Sequence, residues 1–257
     1  MERVVIMVCK NVDTRDTIIC IGPGRSGSTY LYDCLRLAFK VTDLDVKEKN
    51  LLLGEKKSKY KSDVLIDVSN TLYSHPALLM ITQDFLSKHP NTELLLIYRD
   101  PLARLNSLYK YQIQAGLVRH EHEFWDKLLN NEKYFVHKNP DIRELLQLGL
   151  IKIVSFDELR AGMCHVSLFD KLIKLSAYNG FRNTARQPRL KLLMKTSRAI
   201  FKIFQKILGK NIAHKLKRNQ TLLKILYNGV SSEKLDIIPP EAQMLVEKEK
   251  LFFHDIT

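Results

Sequence analysis

Thr17-Ile-Ile-Cys-Ile-Gly22-Pro-Gly-Arg-Ser-Gly-Ser-Thr29 is the stretch that decides the fold. Its first half is a short apolar run rich in β-branched residues, the pattern of a strand buried on both faces of a parallel sheet. Its second half is a glycine-rich turn, and from about Ser28 the pattern becomes helical, with Tyr30, Leu31, Cys34, Leu35 and Ala38 on one stripe. A strand, a glycine turn and a helix N-terminus in that order can hold a phosphate, because backbone N–H groups converge on the anion and the helix presents its positive end. A plain turn followed by a Ser-Thr helix cap would use the same residues. Gly22 and Gly27 have the spacing of a Walker A loop, but Ser28 stands where that loop carries its lysine. The cation comes earlier, at Arg25. A triphosphate site needs that lysine and a Mg²⁺ ligand beside it, so the loop reads as a cradle that uses no metal.

Further strands are expected at Val64–Val68, Glu93–Tyr98 and Leu150–Ser155. Helices are expected over 76–88, 102–115, 122–130, 140–147 and 241–253, the last after Pro239-Pro240. Strands alternating with helices imply right-handed crossovers. The fold class is therefore α/β, a three-layer sandwich with a central parallel sheet of the P-loop NTPase type and a helical C-terminal part. The whole chain, 1–257, reads as one domain, with a core at about 15–180 and a basic helical extension at about 181–257. The lysine-rich stretch 48–63 reads as a surface loop, and 188–227 as amphipathic helix.

A second anion site follows the strand at 93–98. Arg99 falls at its carboxyl end, where α/β sheets bind ligands. Asp100 can cap a helix with Pro101 in its first position, and Ser107 lies one helical step beyond Arg104. A guanidinium and a hydroxyl at that edge suit a phosphate, although a capped helix with solvated arginines fits the same residues. Two anion sites on one edge imply a nucleotide with phosphates at both ends.

This pair of motifs resembles the PAPS-dependent sulfotransferase family, whose donor is 3′-phosphoadenosine 5′-phosphosulfate. Gly24-Arg-Ser-Gly-Ser-Thr29 is similar to its 5′-phosphosulfate loop, in the arginine-containing version of many carbohydrate and tyrosine sulfotransferases. Arg99-Asp-Pro101, Arg104 and Ser107 resemble its 3′-phosphate motif. The resemblance implies that Gly24, Arg25, Ser26, Gly27, Ser28, Thr29 and Tyr30 hold the phosphosulfate, and that Arg99 and Ser107 hold the 3′-phosphate. Asn183-Thr-Ala-Arg-Gln-Pro-Arg189 resembles the late basic loop, which adds Arg186 and Arg189. Lys47-Glu48 resembles the segment that supplies the acceptor base in heparan-type and related bacterial members. Asp67-Val-Ser-Asn-Thr-Leu-Tyr73 is similar to the family's Glu-Lys-Ser-Pro-x-Tyr segment, with Val68 in the place of the lysine. Ile153-Val-Ser-Phe-Asp-Glu-Leu159 resembles the strand and turn before the last helices.

Sulfuryl transfer is an in-line displacement at sulfur. It needs a base for the acceptor proton and a cation for the leaving oxygen. Arg25 takes the second task. For the first, the resemblance favours Glu48, while the residues themselves favour Asp67, which follows the buried Val64-Leu-Ile66 run at the ligand edge; His75 is a third candidate. The acceptor is expected to be a carbohydrate, a lipid or a small alcohol, and no metal is expected. His120-x-His122 reads as a solvated pair. The rival readings are a P-loop kinase or NTPase with Asp67 as metal carboxylate, and a relative that binds nucleotide without catalysis.

The net charge is +13, and 171–232 holds 15 Lys and Arg with no Asp or Glu. The 26 basic residues elsewhere face 28 acidic ones, so the excess sits in that segment. It reads as a solvated amphipathic helix pair, as a surface for the anionic donor or an anionic glycan, or as a face for an anionic membrane. Aromatic residues are not interleaved with the basic ones, which argues against nucleic acid. No apolar run approaches the roughly 18 residues of a membrane span. The N-terminus lacks a small-residue cleavage site, and Cys9, Cys20, Cys34 and Cys164 have no paired spacing. A cytoplasmic protein with buried thiols is expected.

Overall fold

The computed structural model describes residues 15–41, 47–55, 57, 60, 62–115, 117–131, 134–176, 186–188, 227–230 and 235–255. They fall in two compact units, one of Met1–Arg99, Lys133–Tyr178 and Phe252–Thr257, the other of Asp100–Glu132 and Asn179–Leu251.

The first unit is built on four parallel strands, β1 (Thr17–Ile21), β2 (Leu65–Ser69), β3 (Thr92–Tyr98) and β4 (Ile151–Ser155), in the order β2-β1-β3-β4. The strand pattern fixes both faces. Ile19, Ile21, Leu65, Leu94 and Leu96 pack into one core, while Ile18, Cys20, Ile66, Val68, Leu95 and Ile97 pack into the other. Helix α1 (Ser28–Ala38) covers the second face through Leu31, Cys34 and Leu35. Helix α2 (Leu78–Lys88) covers the first through Leu78 and Phe85. The chain goes from β1 to β2 on one side, then returns past β1 to β3, and its winding reverses at β1. A crevice therefore opens at the carboxyl ends of β1 and β3, where doubly wound sheets bind ligands. The expected α/β sandwich with a parallel sheet is the observed one.

In the second unit, α3 (Pro101–Gln114) starts at Asp100, whose carboxylate accepts the Ala103 N–H at 2.7 Å with Pro101 in the first turn. Helix α4 (Glu121–Leu129) is tied to the chain after 235 by Trp125, whose indole N–H donates to the Ile237 carbonyl at 2.8 Å. Arg104, read from sequence beside the phosphate motif, is 1% exposed and paired with Glu249 at 3.1 Å. Returning to the first unit, α5 (Pro140–Gln147) and α6 (Phe156–Ala161) flank β4 in sequence.

Two expectations are corrected. The stretch 171–232 is not helical at its start: β5 (Cys164–Leu168) and β6 (Lys171–Leu175) form an antiparallel hairpin. Phe169 and Asp170 turn it with φ of +50° and +59°, both central residues left-handed as a two-residue hairpin requires. The alternation of Cys164, Val166 and Leu168 with His165 and Ser167 is the period-2 signal of that strand. Arg186–Pro188 (β7) and Tyr227–Val230 (β8) also pair antiparallel, and 189–226 lies outside the described residues. Helix α7 (Pro240–His254) forms as expected.

The second correction concerns 48–63. Lys49, Leu51, Leu52, Lys57 and Tyr60 are buried, not a solvated loop. β2 is an edge strand, and an uncovered edge exposes its backbone. The segment covers it: the Lys47 carbonyl accepts the Val68 N–H at 3.0 Å, and the Asp67 carboxylate accepts the N–H groups of Lys49 at 2.6 Å and Leu51 at 2.8 Å. Asn50 turns between them with φ of +54°. Asp67→Asn replaces one acceptor by an NH₂ group facing a buried N–H. It is expected to lower unfolding free energy by about 1–3 kcal/mol, read by urea denaturation.

Candidate active site

The Gly22–Thr29 loop is held in shape by three contacts. The Ser26 hydroxyl donates to the Pro23 carbonyl at 2.7 Å, inside a loop where Ser26 is fully buried. The loop meets β3 so closely that a Cβ on Gly22 would lie 2.8 Å from Ile97 Cγ2. Arg25 adopts φ of +71°, which costs a non-glycine residue about 1–2 kcal/mol. Its carbonyl is fixed by Arg99, whose Nη1 donates to it at 2.9 Å.

Gly27 carries the tightest constraint. It has φ of +106° and precedes α1, and a Cβ there would lie 2.2 Å from Phe156 Cδ2. The Phe156 ring, at the start of α6, also lies under the Arg99 guanidinium at 4.8 Å and edge-on to Tyr30 at 6.0 Å. One aromatic side chain thus supports the glycine, the arginine after β3 and the first turn of α1. At Gly24, by contrast, a Cβ would meet nothing within 4 Å. A side chain at Gly24 would therefore have room, unlike one at Gly27.

Lys47 brings an ammonium to the end of the loop where Ser28 stands in place of the Walker lysine. Its Nζ donates to Ser28 Oγ at 2.9 Å and to Thr29 Oγ1 at 3.3 Å. Burial lowers its pKa from the usual lysine value and the Arg25 charge does the same, while Glu48, Cys20 and Asp33 act in the opposite sense. Loss of water around an ammonium raises its demand for an anion. The Ser28 hydroxyl in turn donates to Asn70 Oδ1 at 2.6 Å, and Asn70 Nδ2 donates to Glu48 Oε1 at 3.2 Å. Glu48 is exposed, so its carboxylate is open to solvent.

Asp67 is placed differently from the expectation. It is fully buried, and both oxygens accept backbone N–H groups of the 49–51 turn. Burial raises its pKa, and the bonds from Leu51 and Lys49 act against that. A carboxylate engaged on both oxygens by the main chain holds the segment in place and is not offered to a substrate or a metal. His75 is likewise engaged, accepting the Ala77 N–H at its Nδ1 at 3.2 Å.

Arg25, Ser26, Gly27, Ser28, Thr29, Tyr30, Glu48 and Arg99 are therefore gathered at one end of the sheet of the first unit. Ser107 lies on α3 in the second unit. Arg186 has its backbone in β7, and Arg189 lies outside the described residues. His120 and His122 stack at 5.5 Å, and no cluster of metal-ligating side chains occurs among the described residues. Cys20, Cys34 and Cys164 are buried thiols, and burial, with Asp67 beside it, pushes the Cys20 thiol far above its usual pKa. Lys47, Asn70 and Phe156 were not singled out for a role by sequence. Lys47 was legible as the neighbour of Glu48, but nothing local says that its side chain reaches the loop.

No family-level profile and no curated protein matches this chain. One solved structure similar to it is a sulfotransferase from Alicyclobacillus acidocaldarius, with 12% identity and a TM-score of 0.38. The likeness covers 57% of this chain and 75% of that one. No residue role is carried across at that distance. Among the described residues no helix is long and apolar enough to cross a membrane.

The two glycines separate shape from ligand. Gly27→Ala should lose about 2–4 kcal/mol of stability through strain and overlap with Phe156. Gly24→Ala should melt like the parent protein and bind anions more weakly. Calorimetry with and without inorganic sulfate distinguishes the two.

Proposed function

We propose that the chain transfers a sulfuryl group from 3′-phosphoadenosine 5′-phosphosulfate to a hydroxyl or amine of an acceptor, with a carbohydrate as the favoured class. The observation that carries this reading is the chain Lys47–Ser28–Asn70–Glu48, which joins a cationic anion cradle to an accessible carboxylate. Transfer needs these two elements side by side: charge to offset the leaving oxygen, and a base facing the transferred group. The donor fits the residues present, since two cations flank the cradle and α1 presents its N-terminus. When bound, the donor supplies the activated sulfuryl group.

In this reading the backbone from Gly24 to Thr29 orients the 5′ end, and Lys47 with Arg25 holds the negative charge that grows on the bridging oxygen. Glu48 accepts the acceptor proton on its carboxylate. Arg99 steadies the loop through the Arg25 carbonyl and is proposed for the 3′-phosphate; Ser107, Arg186 and Arg189 are the further candidates that the sequence offers for that group. The basic stretch 171–232 suits an anionic donor or glycan, and buried thiols suit a reducing compartment.

The kinase or NTPase reading gains one observation, since Lys47 brings a lysine to a loop that lacks its own. It loses another, because the Asp67 carboxylate is engaged by backbone N–H groups and is not turned to a metal. The experiment is thermal stabilisation by adenosine 3′,5′-bisphosphate without Mg²⁺, against ATP with Mg²⁺. Stabilisation by the second alone would overturn the sulfuryl-transfer reading.

The lowered pKa of Lys47 gives that binding a pH signature. Only the ammonium attracts the anion, so affinity falls as pH rises through a value below the ordinary 10.5. Lys47→Arg keeps its charge in that range and should flatten the fall, as titration calorimetry at several pH values would read. A base role for Glu48 has a separate signature. Glu48→Gln should slow transfer by about 10²–10⁴-fold while bisphosphate still binds, measured by mass spectrometry of acceptors incubated with donor. An unchanged rate would leave Glu48 without that role.

A further inference from the structure

Asn70 stands where the resembled segment carries a proline, and its side chain joins the two halves of the site. Its Oδ1 accepts the Ser28 hydroxyl at 2.6 Å and its Nδ2 donates to Glu48 Oε1 at 3.2 Å. One orientation of the amide alone satisfies both neighbours. Ser28 Oγ already accepts from Lys47 Nζ at 2.9 Å, so its hydrogen is directed to Asn70. A carboxylate can only accept, so it must face the NH₂ group. Reversing the amide would set its oxygen against the Glu48 carboxylate.

The backbone fixes where this amide stands. Asn70 directly follows β2, whose Ser69 hydroxyl accepts the N–H groups of Thr71 at 3.2 Å and Leu72 at 3.3 Å and so anchors the turn. Glu48 is carried by the segment that Asp67 latches to the same strand. Loop, amide and carboxylate are thus held from one strand end and one helix N-terminus. Donor and acceptor in series also polarise each other, so a cation giving to the Ser28 hydroxyl strengthens the next bond and the one after it.

We propose that Asn70 is a positioning residue that couples the phosphate-binding loop to the acceptor base, holding the Glu48 carboxylate at a fixed place relative to the Ser28 end of the donor cradle. The inference rests on the sulfuryl-transfer reading for its kinetic consequence and on geometry alone for the coupling. Asn70 touches neither reacting atom; it acts through Glu48. Removing it leaves the cradle, Lys47 and the Asp67 latch in place, so donor binding should survive while the base swings free.

The test combines kinetics with a readout that needs no turnover. Asn70→Ala should lower kcat about tenfold, the loss of one hydrogen bond to a charged group, with bisphosphate affinity nearly unchanged. Asn70→Asp still accepts from Ser28 but sets a like charge against Glu48, and should lower kcat at least as far. In a Glu48→Ala background, Asn70→Ala should add no further loss. Equal losses in both backgrounds, or a fall in bisphosphate affinity parallel to kcat, would overturn the proposal in favour of a merely structural turn residue. Independently, the Asn70 side-chain amide proton in an NMR spectrum of the full chain should move upfield in Glu48→Ala; an unmoved resonance also overturns the coupling. If the wild-type protein transfers no sulfuryl group while that resonance moves, the reaction reading fails and the coupling stands.

Discussion

The site depends on the grip of one buried carboxylate on two backbone N–H groups. Asp67 sits on an edge strand, and its oxygens take the amides of Lys49 and Leu51. An ionised group fully out of water is costly unless it is hydrogen-bonded, and main-chain donors recover much of that cost. The latch does two things together. It covers the outer edge of β2, and it fixes the residues just before it, so that Lys47 reaches the Ser28 and Thr29 hydroxyls and Glu48 reaches Asn70. Without it, 47–51 would be the solvated loop that its composition describes.

Why the cation arrives from residue 47 follows from the sheet. Position 68 is closed to it, because Val68 points into the core under α1 with no exposed surface. A lysine there would bury its charge among Ile18, Cys20 and Leu31. Position 28 is occupied by a hydroxyl that works both as acceptor from Lys47 and as donor to Asn70, which an ammonium cannot do. A cation carried on a strap along the edge strand reaches the same anion site without entering either core.

The fold was legible because its signals are local and periodic. The apolar run before Gly22, those at 64–68 and 93–98, and the Asp100-Pro101 start of α3 each state their element in a few neighbouring residues. The hairpin at 164–175 was missed because its turn, Phe169-Asp170, lacks the Asn-Gly or Asp-Gly that announces left-handed φ. The place of Gly22, Arg25, Ser28 and Arg99 after β1 and β3 is equally local. The places of Lys47 and Phe156 are not. Their roles depend on contacts across 18 to 129 positions of sequence, such as Lys47 with Ser28 and Thr29, or Phe156 with Gly27. Asp67 lies within β2, and what its carboxylate holds depends on a segment whose polar composition hides its burial.

Lys47 and Glu48 being adjacent has a mechanistic consequence. A loop with its own lysine can bind its anion whatever the acceptor side does. Here the cation that reaches the loop and the exposed carboxylate are consecutive residues on one latched strap, so a displacement of the strap moves both. Glu48 also raises the pKa of Lys47, against the effect of burial. In the proposed reaction an incoming anion would compete with Glu48 for the field of Lys47. In that proposal the donor's cation and the base belong to one short segment, which the two bonds accepted by Asp67 hold to β2.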